Sequence, residues 1–144
     1  MRSSDFVFKS KKLCITNDGK EVPKYQFVVS VSKQCDMYCY NEKKQEYHIV
    51  ALYEKYIINH IYYLLQHDHK RIQEELDKGT LYRYLRELDR RASDIVSRQV
   101  ERWSKTDEEL IAAHNSGDIQ TEGRILNCLE LMAEEVMYPC VIYA

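Results

Sequence analysis

Between Leu81 and Trp103, apolar side chains recur every three or four residues: Leu81, Leu85, Leu88, Ala92, Ile95, Val96, Val100 and Trp103. At helical spacing they fall within about 140° of arc, the width of a core-facing stripe. A stripe that long cannot be left in water, so the spacing predicts a long helix packed along its whole length. The opposite side carries six arginines, Arg83, Arg86, Arg90, Arg91, Arg98 and Arg102. Glu87, Asp94 and Glu101 run through them and predict the pairs Arg83/Glu87, Glu87/Arg91, Arg90/Asp94 and Asp94/Arg98, each worth about 0.2–0.5 kcal/mol. Basic groups answered by carboxylates of their own helix form a solvated face; a grip on phosphate needs unpaired basic clusters.

The rest of the chain must cover that stripe. With 144 residues, about 68–70% of the unfolded surface can be buried, enough for a single domain with one core. Four glycines and two prolines among 44% hydrophobic and 31% charged residues predict a helix-rich globule rather than a disordered chain. Twelve tyrosines suit half-wet faces, where a ring is buried and its hydroxyl stays at the edge. The five cysteines, Cys14, Cys35, Cys39, Cys128 and Cys140, follow no disulfide framework. With no signal peptide at the charged N-terminus, reduced thiols in a cytoplasmic protein are the expectation. The longest apolar run, around IINHIYYLL, is too short to span a membrane.

Residues 1–45 read as strands. KKLCIT and KYQFVVSVS flank NDGKEVP, where Asp18-Gly19 supplies a hairpin turn and Pro23 marks the start or edge of the return strand. Phe27, Val29 and Val31 alternate with polar neighbours, Val28 breaks the alternation, and MYCY at 37–40 offers a third short strand. Residues 46–144 read as helical. A wide apolar arc predicts a central helix over 48–68, a polar helix follows over 68–78, and Gly79 stops it so that Thr80 can cap the arginine-bearing helix. Thr106 and Glu109 have capping-box spacing for a short helix ended by Gly117, and Asp118 caps a last helix to about Tyr138. That helix is apolar at Ile125, Cys128, Leu129, Met132, Ala133 and Val136. Pro139 should end it and leave CVIYA as an apolar tail that adds a strand to the hairpin edge. The fold class expected is α+β, mainly α: one domain over 1–144, with an N-terminal β-hairpin, joined in one version by a C-terminal strand, packed on a bundle of four to five helices.

Cys35, Cys39 and His48 have spacing that zinc tolerates, but a second ligand pair is missing, so small buried or edge thiols are the expectation. His60, His67 and His69 suit helix ends and a partial core position. The acidic doublets Glu74–Glu75, Glu108–Glu109 and Glu134–Glu135 point about 100° apart on a helix and do not converge on one metal or proton. No glycine-rich phosphate loop is present, and no histidine–tyrosine arrangement suits relaxase or recombinase chemistry. A non-enzymatic protein without catalytic residue, metal or cofactor is expected.

Two segments, KGTLYRYLRELDRRA and MAEEVMYPCVIYA, resemble the transposon-encoded TnpV-like family of small proteins on bacterial mobile elements. The resemblance rests on Gly79, Leu81, Tyr84, Leu85, Leu88, Asp89 and Ala92, then Ala133, Glu134, Glu135, Val136, Ile142 and Tyr143, and spans residues about 50–144. The chain departs from that family in having no tryptophan between Ile125 and Leu131, and its N-terminal hairpin has no counterpart there. What the resemblance implies is an accessory protein of a mobile genetic element, with no established catalytic residues to transfer.

Charge then suggests how such a protein acts. The total is −2, but residues 105–144 carry two basic and eight acidic side chains. Binding of another macromolecule, a protein first, through Asp107, Glu108, Glu109, Asp118 and Glu122 is the leading expectation. Its sharper version is an inhibitor of a host defence nuclease, anti-CRISPR-like, whose acidic C-terminal region occupies a basic channel. The alternative is DNA or RNA binding by the six arginines together with Lys9, Lys11 and Lys12, beside Lys20, Lys24, Tyr25 and Phe27. Self-association through leftover apolar helix surface is compatible with either, and no membrane partner is expected.

Overall fold

The computed structural model describes residues 5–32 and 34–144, and the chain divides into two compact units, Met1–Glu87 and Leu88–Ala144. The architecture is α+β, mainly α, with a small antiparallel sheet followed by five helices. No helix of the described residues is long and apolar enough to cross a membrane.

In the first unit, β1 (Phe6–Lys9), β4 (Tyr25–Val29), β5 (Cys35–Asn41) and β6 (Glu46–Leu52) form one antiparallel sheet in the order β1-β4-β5-β6, while β2 (Leu13–Ile15) and β3 (Glu21–Pro23) form a separate ribbon. The turn at Asp18-Gly19 is present, with Gly19 at φ +84° and the Thr16 amide donating to the Lys20 carbonyl at 2.8 Å. It joins β2 to β3, however, and the expected partner strand from Tyr25 onward sits inside the larger sheet, between β1 and β5. Phe27, Val28 and Val29 are all buried, whereas Val31, expected on the apolar face, lies beyond the strand and is exposed.

The larger correction concerns residues 46–52, expected as the start of the central helix but extended as β6. The turn before it accounts for this: Asn41 Oδ1 accepts from the amides of Lys43 and Lys44 at 3.0 and 3.1 Å, and Gln45 takes φ +56°, so the chain reverses and pairs with β5. The boundary between strand and helix regions therefore falls after Leu52, not at 45/46. Helix α1 (Lys55–His67) follows, then α2 (His69–Lys78) and α3 (Leu81–Ser104). Gly79 closes α2 as expected, at φ +73°, with Thr80 N–H donating to the Glu75 carbonyl at 3.0 Å. The Thr80 hydroxyl turns back to the Glu75 carboxylate at 2.5 Å.

Alternation of β4, β5 and β6 gives one inward face: Phe27 and Val29, Cys35 and Met37, and Leu52. It packs against Ile57, Ile61 and Leu64 of α1, Ile72 and Leu76 of α2, and Leu81 and Leu85 at the start of α3. Burying each such side chain contributes about 1.5–3 kcal/mol. His60 is the polar member of this interior, and its Nε2 lies 2.7 Å from the Tyr84 hydroxyl. Tyrosines elsewhere do what their number suggested: Tyr47 donates to the Pro23 carbonyl and Tyr62 to the Ser30 carbonyl, each from a partly buried ring.

The second unit holds the rest of α3, α4 (Glu108–Ser116) and α5 (Ile119–Val141). Leu88, Ala92 and Val96 continue the buried stripe of α3, and Val100 and Trp103 pack on Leu110, Ile125 and Leu129. Gly117 and Asp118 end and begin helices as expected, but Asp107, not Thr106, caps α4, its carboxylate accepting from Leu110 N–H at 2.9 Å.

The C-terminal strand does not form. Helix α5 runs through Pro139 to Val141, and the Ile142 and Tyr143 amides both donate to the Tyr138 carbonyl. An internal proline costs about 3 kcal/mol. Continuing the helix buries Val141 and Ile142, 3% and 0% exposed, at about 1.5–3 kcal/mol each, which offsets that cost.

Candidate functional site

The acidic residues singled out from the sequence all lie in the second unit, and two of them are helix caps. Asp107 holds the N-terminus of α4, and Asp118 that of α5, where it accepts from the Thr121 amide at 3.2 Å and the Thr121 hydroxyl at 2.7 Å. Those Thr121 hydrogen bonds hold the Asp118 carboxyl below the usual range. Glu122 lies 3.0 Å from His114 Nδ1. Glu108 and Glu109 occupy the first turn of α4, exposed, where the helix dipole favours negative charge. Capping thus accounts for Asp107 and Asp118 without a partner, and Glu108 and Glu109 are the acids most open to one.

Helix α5 adds a feature that charge counting missed. Its buried side is Ile125, Leu129, Ala133 and Met137, spaced by four. A second line with the same spacing, Cys128, Met132, Val136 and Cys140, is exposed, and Leu131 beside it is 62% exposed. Cys128, Met132 and Val136 belong to the apolar set that the sequence marks on this helix. The apolar arc of α5 is wider than its packing inside the unit, and only part of it finds neighbours. Glu135, between Leu131 and Cys128 on the helix circumference, lies along the same exposed surface. The signal in the sequence was the width of that arc, which places two i,i+4 lines side by side.

The arginine side chains pair partly within their own helix and partly with another segment. Arg90 pairs with Asp94 at 3.1 Å as predicted, but among the described residues Arg83, Arg91, Arg98 and Arg102 make no ion pair. Arg86 leaves its own helix and binds Glu54, just before α1, as well as the Tyr82 hydroxyl at 3.1 Å. For Glu54, burial is the largest single influence and raises the carboxyl pKa, but the Arg86 hydrogen bond and charge, together with backbone amides of Glu54 and Tyr53, outweigh it, and the net direction is down. Arg83 lies in a shallow depression with Lys78, Glu75 and Glu87, a mixture of signs rather than a basic furrow. Lys9, Lys11 and Lys12 are exposed in the first unit, and the Lys11 amide donates to Asp77 at 2.9 Å. Arg83 and Arg86 belong to the first unit, Arg90, Arg91, Arg98 and Arg102 to the second.

The three residues weighed for zinc are not brought together. Cys35 and Cys39 sit on one extended strand, about 13 Å apart at about 3.3 Å per residue, and two thiolates on one zinc must lie far closer. Burial pushes the Cys35 thiol up to about 12, with Asp36 adding to the effect. Among the described residues no cluster of three histidines, cysteines or carboxylates is placed to hold a metal. Cys39 and His48, however, are direct cross-strand partners, and Tyr25 stands opposite Cys39 on its other side. This Tyr25–Cys39–His48 row faces a cavity of about 230 Å³, lined also by Met37, Val50, Leu76, Gly79, Leu81 and Tyr82. Chemically it is an apolar hole with one thiol and one imidazole in its wall.

No family model matches the chain, and neither does any curated protein or solved structure. Several positions of the TnpV-like resemblance have packing roles: Leu81, Leu85, Leu88, Ala92, Ala133 and Ile142 are buried, and Gly79 is left-handed.

Proposed function

We propose that this chain is a non-enzymatic accessory protein that works by binding another protein, and that the contact surface is the exposed side of α5 with the first turn of α4. The occupant is a partner whose apolar groove is rimmed by lysine and arginine. The observation that carries this is the exposed line Cys128, Met132, Val136 and Cys140, with Leu131 beside it, in a segment of two basic and eight acidic side chains. Contiguous apolar surface ringed by polar groups marks interaction sites, and methionine adapts well to such contacts. Charge complementarity selects the partner class. A second copy of the same acidic surface is repelled, and nucleic acid is repelled more strongly.

The TnpV-like resemblance supports a mobile-element setting, and a host nuclease with a basic substrate channel is then the partner to test first. The deciding experiment is affinity capture with the wild-type chain and with Met132→Asp/Val136→Asp, in which both changes fall on exposed positions. A single basic protein captured by the wild type and lost with the variant is the expected result. Identical captured sets from the two baits overturn the proposal. Retention of labelled DNA or RNA by the wild type, weakening steeply with salt, would assign the function to the arginines instead.

A further inference from the structure

We propose that the cavity of the first unit is a binding site for a compact, uncharged aromatic molecule of one or two rings carrying a single N–H or O–H group. The site lies within the first unit and does not rest on the protein-binding surface of the second.

Size, lining and polarity each narrow the ligand. An apolar cavity of about 150 Å³ holds a benzene ring, whereas drug-sized pockets begin near 300 Å³. At about 230 Å³ the space between them suits one or two fused rings. Met37, Leu76 and Leu81, at 7%, 1% and 2% exposure, form the floor, while His48 and Tyr82 are exposed and form the mouth. A ring would enter toward the Met37 thioether, which favours aromatic contact, between the walls of Val50 and Tyr25. No aspartate, glutamate, lysine or arginine lines the space, so an ionised ligand finds no fixed counter-charge inside. The polar end of the ligand therefore belongs near the mouth, where the imidazole accepts one hydrogen bond and the Cys39 thiol lies opposite it in register.

The cavity is held open by construction. Its sheet wall is fixed by the ladders between β4, β5 and β6, and its opposite wall by the turn from α2 into α3. Gly79 gives that turn its left-handed geometry and leaves room for the Tyr25 ring, since a Cβ there would meet the Tyr25 hydroxyl at 3.0 Å. The main contacts of α2 with the sheet fall on β1 and β4, and the cavity lies toward β5 and β6.

Indole is the probe. With the full chain, the alkylation rate of each cysteine by iodoacetamide is measured by peptide mass spectrometry, using exposed Cys128 and Cys140 as internal references. Indole at about ten times its Kd is expected to slow Cys39 alkylation roughly tenfold and leave the references unchanged. The Met37 methyl resonance is expected to shift by ring current in the same titration. Val50→Phe fills the space with a side chain of the protein's own, so Cys39 alkylation in that variant should no longer respond to indole. An unshifted Met37 methyl resonance up to the solubility limit of indole overturns the site, without reliance on any variant. Equal protection of Cys39 in wild type and a folded Val50→Phe chain overturns it as well.

Discussion

The two units use the same kinds of side chain to opposite ends. In the first, the inward faces of three strands and stripes from three helices close on one another, and even the polar His60 meets the Tyr84 hydroxyl. In the second, α5 buries one line of apolar residues and exposes another of the same length and spacing. A packed interior explains the first unit almost completely. The second has more apolar surface than its own packing uses, and this excess is what the proposed protein contact rests on.

Met137 and Met132 offer the most direct way to break that contrast, being the same residue type on the same helix. Met137 is 0% exposed and Met132 49%. Met137→Ala should cost about 2–5 kcal/mol in denaturant unfolding, through lost burial and the cavity left behind. Met132→Ala should fall within about 0.5 kcal/mol of the parent. Equal costs at the two positions would mean that the Met132 side of α5 is packed in the folded chain, and the interface would lose its basis.

Gly79 and Gly117 sharpen the same comparison through the backbone. Both close helices at φ +73°, but a Cβ at Gly79 meets Tyr25 whereas one at Gly117 meets nothing within 4 Å. Alanine at Gly117 should cost about 1–2 kcal/mol for the left-handed conformation alone. Gly79→Ala should cost more by thermal melting, because the Tyr25 ring must also give way. A cost at Gly79 no greater than at Gly117 would show that the ring moves into the adjoining cavity without penalty.

Much of this architecture was legible because it is local. Gly19, Gly79, Gly117 and Asp118 each act within a few residues of themselves, and the stripe from Leu81 to Val96 is read by one helix's own periodicity. Residues 46–52 were misread because Ile49, Leu52, Tyr53 and Tyr56 also satisfy helical spacing, and only pairing with β5 decides between the two. Pro139 misled for a related reason: its local cost is plain in the sequence, but the burial of Val141 and Ile142 that offsets it is not. The cavity needed three distant segments, 25, 37–50 and 76–82, and no linear spacing announces it. A hairpin turn recognised at Asn41–Glu46 would have placed Cys39 opposite His48 and removed Cys35 from any shared metal. The acidic residues were legible as charge but not as caps, so reversal at Asp107 confuses binding with folding. Asp107→Ala alone should cost about 1 kcal/mol. Glu108→Lys/Glu109→Lys is the cleaner pair, expected to weaken capture with less loss of stability.

The smallest effect separates the units by how they use carboxylates. In the first, Glu54 reaches a different helix and binds Arg86, with the two side chains 34% and 36% exposed. In the second, Asp107 and Asp118 serve their own helices. Because solvent screens the Glu54–Arg86 pair, Glu54→Gln should cost only about 0.2–1 kcal/mol at neutral pH. The folded pKa of Glu54 is depressed below its ordinary 4.5, so the folded state binds its proton less readily than the unfolded state. The contribution is then fully present above 4.5 and lost as pH falls through the depressed value. Urea midpoints of parent and Glu54→Gln should therefore differ at pH 7 and converge in acid. A gap that persists unchanged at low pH would mean that the glutamate acts through its place at the start of α1 rather than through its charge.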